Sequence, residues 1–163
     1  MTPPPVNGKP RSLFFPRDEY FMRLALREAE RSMEHDDVPV GCVIAKDGEL
    51  IAAAPNEREL RQDPTAHCEV LALREAASRI GSWRLNGASL YVTLEPCAMC
   101  AGAIVLARVP RVIYGAADPK AGAAGSVIDV LSEPRFNHRP NVSGGLLAQE
   151  SSDLLRRFFA ERR

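Results

Sequence analysis

Apolar residues recur at helical spacing through the charged stretch that follows Pro16. Phe21, Leu24, Ala25, Ala29 and Met33 form one stripe, which predicts an amphipathic first helix. The pattern then shortens. Residues 38–45 and 50–54 are apolar runs separated by Asp47-Gly48, a pair suited to a tight primed turn, and they predict a β-hairpin. Residues 89–94 and 111–115 read as two more strands. Between the strands lie two helical runs, residues 68–80, with Val70, Leu71 and Ala77 available to a core, and the apolar residues 98–107. Residues 116–125 are rich in glycine and alanine and read as loop. Beyond them, residues 127–131 suggest a short helix and residues 141–143 a last short strand. Leu146, Leu147, Leu154, Leu155 and Phe158 mark a terminal helix. A hairpin followed by helix, strand, helix, strand predicts a three-layer α/β/α domain whose mixed sheet of about five strands includes parallel members.

Composition narrows this picture. Residues 1–16 hold Pro3, Pro4, Pro5, Pro10 and Pro16 with Asn7 and Gly8, so a flexible proline-rich tail is expected ahead of a single domain over residues 17–163. A chain of 163 residues is long enough for one core and short for two. Lys plus Arg and Asp plus Glu number 21 each, so no global field draws the chain to nucleic acid or membrane, and any RNA contact must be local. Four cysteines, two of them at metal-ligand spacing, do not suggest a disulfide framework. With no apolar signal-peptide region and no run long enough to span a bilayer, the expected setting is the reducing cytoplasm, away from membranes.

The chemistry sits in two fragments, His67-x-Glu69 and Pro96-Cys97-x-x-Cys100. Alone, each is weak: a C-x-x-C pair also serves redox or structural zinc sites, and H-x-E occurs by chance. Together they offer three metal ligands, His67, Cys97 and Cys100, and one acid that is not a ligand. A catalytic zinc site keeps three protein ligands and an open position, whereas a structural one takes four. Cys97 and Cys100, three apart at the start of a helical run, project to one side of its first turn, where the helix N-terminus favours thiolate. Glu69, two residues beyond His67, is placed to move protons. Cys42 and Cys68 fall in apolar settings and are read as packing residues.

The chain resembles the bacterial tRNA-specific adenosine deaminases of the cytidine-deaminase-like superfamily over residues 18–162. The resemblance includes Val38-Pro39-Val40-Gly41, Asp63-Pro64-Thr65-Ala66-His67 and Leu94-Glu95-Pro96-Cys97. It continues through Cys100-Ala101-Gly102-Ala103-Ile104, Gly122-Ala123-Ala124-Gly125-Ser126 and Asn137-His138-Arg139. The zinc motif belongs to the whole superfamily; the last two segments resemble the tRNA branch. The resemblance implies a cytidine-deaminase-like fold, one Zn2+ per subunit on His67, Cys97 and Cys100, and Glu69 as the catalytic proton shuttle. It further implies Asn56 and Asp118 as substrate-binding residues, a tRNA anticodon loop as partner, a homodimer, and adenosine-to-inosine conversion at the wobble position. Three positions depart from the usual pattern: Cys68 for alanine, Ala117 for a basic residue and Trp83 for tyrosine. Arg135, His138, Arg139 and the terminal arginines 156, 157, 162 and 163 suit either a phosphate surface or an ordinary solvated one.

Overall fold

The computed structural model describes residues 14–162; the expected tail therefore lies outside the described residues up to position 13, and Pro16 already belongs to the first helix. In chain order the elements are α1 (Pro16–Met33), β1 (Gly41–Lys46), β2 (Glu49–Pro55), α2 (Arg58–Arg61), α3 (Cys68–Ile80), β3 (Ala88–Leu94), α4 (Ala98–Leu106), β4 (Arg111–Ala116), β5 (Asn141–Gly144) and α5 (Ala148–Ala160). The five strands form one sheet in the order β2-β1-β3-β4-β5. β1 runs antiparallel to β2 and β3, while β3, β4 and β5 are mutually parallel along their pairings, so the sheet is mixed as expected. The hairpin closes at Asp47-Gly48, where both residues take positive φ, 53° and 76°, the backbone that a primed turn requires.

The central strands are buried on both faces, which explains why they read as continuous apolar runs rather than alternating ones. Cys42, Ile44, Leu90, Val92 and Val112 face a core with α3 and α4. Val43, Ala45, Tyr91 and Ile113 face α1. α5 packs on α1 through Leu154, Leu26 and Ala29. The packing assignments for Cys42 and Cys68 hold, both thiols being buried in the first core.

Two expectations fail. Residues 127–131 are not helical. Gly125 takes φ 123°, its N–H bonds Ile128 O, and Val130 N–H bonds Ala123 O, so the amides close a turn instead of a helical ladder. Residues 38–40 precede β1 rather than belong to it; the carbonyl of Val40 accepts from Asn56 N–H at 3.0 Å, beyond the end of the hairpin ladder.

Asp18 is the polar centre of the α1 face. Fully buried, it accepts from the two terminal Arg111 nitrogens, Nη1 and Nη2, at 2.6 and 2.7 Å and from the Tyr91 hydroxyl at 2.7 Å. Burial pushes its carboxyl up, but Arg111, the Phe15 amide and Tyr91 outweigh that and hold it below its ordinary value. Its contribution to stability is therefore complete above the ordinary carboxylate range and lost as pH falls through the lower folded value. Asp18→Asn is expected to cost about 3 kcal/mol, because it leaves Arg111 without its charge partner. At roughly 2–4 °C per kcal/mol for a chain of this size, thermal unfolding at neutral pH should show a midpoint lower by about 6–12 °C. The gap to the parent should narrow in acid.

Candidate metal and catalytic centre

Both halves of the motif arrive at the starts of helices. His67 is the N-cap of α3, with extended backbone (φ −72°, ψ 147°), and Cys97 is the N-cap of α4 (φ −74°, ψ 176°). His67 and Glu69 thus diverge because one precedes the helix and the other lies in its first turn. Cys100 is one turn into α4 and fully buried. Each cysteine Sγ lies 3.5 Å from His67 Nδ1, and the three ligand atoms all fall within 4.8 Å of one another. Two soft thiolates and one imidazole suit zinc.

The three groups shift one another's titration. Hydrogen bonds from the Cys100 thiol and His67 hold the Cys97 thiol down at about 3. The neighbouring Cys97 sulfur and burial push Cys100 strongly up. His67 is raised, chiefly by its hydrogen bond with Cys97. Without a cation only one sulfur ionises readily; a metal ion makes two thiolates and a neutral imidazole compatible, with release of protons.

Glu69 is buried beside this cluster and is not part of the ligand triad. The Cys68 thiol, in the position where the resemblance would place alanine, donates to Glu69 Oε1 at 3.0 Å. Burial raises the Glu69 carboxyl despite that hydrogen bond. A carboxyl shifted toward neutrality is suited to both taking and returning a proton.

A cavity of about 160 Å³ brings Glu69, His67 and Cys97 together with Asn56, Asp118, Glu95, Arg58 and Val38. Asn56 is buried at its wall. Its Nδ2 donates to Val38 O at 3.2 Å, whereas its Oδ1 has no partner among the described residues, an unmet acceptor beside the triad. Asp118 lines the same cavity, but its Oδ1 accepts from the Lys120 and Ala121 amides at 3.0 and 3.2 Å and so caps its own turn.

Glu95 received no role from the sequence, yet it organises the opposite wall. Its buried carboxylate accepts from the backbone N–H groups of Asp118 (3.1 Å), Ala124 (2.9 Å) and Ser126 (3.1 Å) and from the Ser126 hydroxyl. Burial raises Glu95, but these donors outweigh it and keep the carboxyl below its ordinary value. A Cβ on Gly122 would collide with this carboxylate, so the loop closes only around glycine. The Gly-Ala-Ala-Gly-Ser segment is thereby explained as the wrapping of one anion.

The basic segments divide differently. His138 Nε2 lies 2.6 Å from Val109 O, and Arg139 bonds the carbonyls of Pro134 and Phe136, so both tie down their own loop. Phe158 is buried, with Arg162 stacked on its ring and paired with Asp36. Arg163 lies outside the described residues.

Residues 16–163 match the MafB19-like deaminase family. A tRNA-specific adenosine deaminase of Bacillus subtilis is 49% identical over 147 residues, which cover 90% of this chain and 91% of the relative. The chain belongs to the tRNA-specific adenosine deaminase family. A solved tRNA A34 deaminase, from work on A-to-I editing at the wobble position, matches with TM-score 0.81 at 48% identity, covering 83% of this chain and 99% of its own. A guanine deaminase from Nitrosomonas europaea shares the architecture at TM-score 0.71 and 25% identity, covering 94% of this chain and 90% of its own. The fold is thus common to deaminases of different substrates, while the higher identity lies with the tRNA-specific adenosine deaminase family.

Proposed function

We propose that this protein hydrolyses adenosine to inosine at the wobble position of a tRNA anticodon, with one Zn2+ per subunit held by His67, Cys97 and Cys100. The observation that carries the proposal is the buried, unligated Glu69 beside three convergent ligand atoms in a chain 49% identical to a tRNA-specific adenosine deaminase. When bound, the zinc ion supplies Lewis-acid activation of water. Glu69 accepts the proton of the attacking water and returns it to the adenine ring nitrogen. Water oxygen bonds to C6, Glu69 relays the remaining proton of that oxygen to the exocyclic N6, and the C6–N6 bond breaks to release ammonia and leave the C6 carbonyl of inosine. The reacting base must leave its stack to enter a cavity of this kind, which suits a single-stranded anticodon loop. A substrate panel tests this: conversion of an anticodon stem-loop without conversion of free guanine or cytidine supports it, and the reverse preference overturns it.

Asn56 is proposed to hold the entering nucleoside through its unpartnered Oδ1, which lies buried and available to a donor on the substrate. Asn56→Ala is expected to lower the efficiency of inosine formation roughly tenfold, as 1.4 kcal/mol is a factor of ten. Loss of the Nδ2 bond to Val38 should cost about 1 kcal/mol of stability or less, with metal retained. Asp118, whose Oδ1 is spent on its own turn, is proposed to contribute to the cavity wall beside the RNA backbone.

The protein is proposed to act in the cytoplasm as a homodimer; no helix among the described residues is long and apolar enough to cross a membrane. α4 is apolar nearly all round, but Leu106 is 70% exposed and Trp83 55% exposed beside Val70, Ala77 and Ala103 in a groove between α3 and α4. Such a face on a helix with no polar side calls for a partner, and a second copy is the occupant proposed. Leu106→Glu is expected to convert a sedimenting dimer to monomer, whereas a parent chain that is itself monomeric at micromolar concentration would contradict the dimer.

A further inference from the structure

α2 buries none of its four residues, so packing of its own side chains does not hold it. Polar contacts do. The buried carboxylate of Asp37 accepts from the backbone N–H groups of Glu59 at 2.7 Å and Leu60 at 3.2 Å, and His35 Nδ1 lies 2.7 Å from the same side chain. Glu57 N–H donates to Ala66 O at 3.0 Å and Asp63 N–H to Arg58 O at 3.1 Å, which ties the turn to the segment entering His67. Ordering a residue costs on the order of 1–2 kcal/mol of conformational entropy, and here no apolar burial within the turn offsets it. A fixed turn of this kind is explained by what it presents.

It presents Arg58 at the mouth of the catalytic cavity. Among the described residues that line the cavity, Arg58 is the one arginine or lysine, and it shares the cavity with Glu69, Glu95 and Asp118. Those acids are already engaged: Glu69 by Cys68, Glu95 by the loop amides and Ser126, Asp118 by its own turn. Arg61, on the same helix, is paired with Glu57, whereas the Arg58 guanidinium has no hydrogen bond or ion pair among the described residues. Glu95 and Asp118 place acidic side chains in the cavity wall, so phosphate is not drawn inside. A nucleotide that puts its base inside leaves its phosphates at the rim, where a guanidinium fork can take two phosphate oxygens together.

We propose that α2 is a clamp for the RNA backbone, with Arg58 engaging a phosphate adjacent to the flipped adenosine and Asp37 acting as the positioning residue that holds α2 in place. This rests on the tRNA reading of the site. The test is binding of an anticodon stem-loop across a salt series, together with inosine formation, for the zinc-loaded parent, Arg58→Ala, Arg58→Lys, Asp37→Asn and the double variant Asp37→Asn/Arg58→Ala. Arg58→Ala is expected to weaken binding roughly tenfold, with the effect on KM rather than kcat. Its salt slope should shrink by about 0.7, the value of one single-strand phosphate contact. Arg58→Lys should keep the slope while recovering only part of the affinity. Asp37→Asn should raise KM in the parent but add little in the Arg58→Ala background, a coupling that a merely structural role would not give. A salt slope indifferent to Arg58, or additive effects of the two changes, overturns the clamp even if inosine is made. A parent that binds with an Arg58-dependent slope but makes no inosine refutes the activity and leaves the clamp standing.

Discussion

Glu69→Gln is expected to leave a folded, metal-loaded protein whose turnover falls by at least roughly 10²-fold, the usual scale of general acid–base catalysis. Glutamine keeps the shape of the side chain and loses its ability to carry a proton. Because Glu69 lies outside the ligand triad, metal content should match the parent by elemental analysis. Stability gives a second, independent sign. Burial raises the Glu69 carboxyl, so in the metal-free protein its ionisation destabilises the fold as pH rises through the raised value. The metal-free variant's midpoint at neutral pH is therefore expected at or above that of the metal-free parent. An active Glu69→Gln variant, or one that has lost its metal, would refute the role assigned.

Cys97→Ala and Cys100→Ala are expected to lose both metal and stability. Ligand held at about 1,000 times its Kd stabilises the native state by about 4 kcal/mol. That corresponds to a midpoint lower by roughly 8–16 °C for a chain of this size. Chelation of the parent should reproduce the loss, and neither variant should respond to added zinc. Acid should act in the same direction: Cys100 and His67 are both raised, so protonation competes for them as pH falls and the metal is released. Midpoints unchanged by chelator in active protein would contradict a metal centre.

The features that the sequence made legible are those written in local pattern. The Asp47-Gly48 turn, the stripe of α1 and the strands β1 and β3 all follow from spacing. The convergence of His67, Cys97 and Cys100 was legible because these residues fall at helix starts, where caps fix their direction. Polar contacts between distant positions were not. Asp18 meets Arg111 across 93 positions, and Glu95 binds amides up to 31 positions away, with no periodicity to announce either. The same blindness explains residues 127–131, whose apolar run suggests a helix while their backbone closes the turn against Gly122 and Ala123. It also hides α2, whose four residues have no apolar face and are held from outside by Asp37.

The central claim is most directly tested by incubating the purified zinc-loaded protein with total tRNA and sequencing the anticodons for inosine. Adenosine at the wobble position should be read as inosine in proportion to enzyme and time, with Glu69→Gln giving none above background. Wobble adenosines left intact, alongside conversion of a free base such as guanine, would contradict the account.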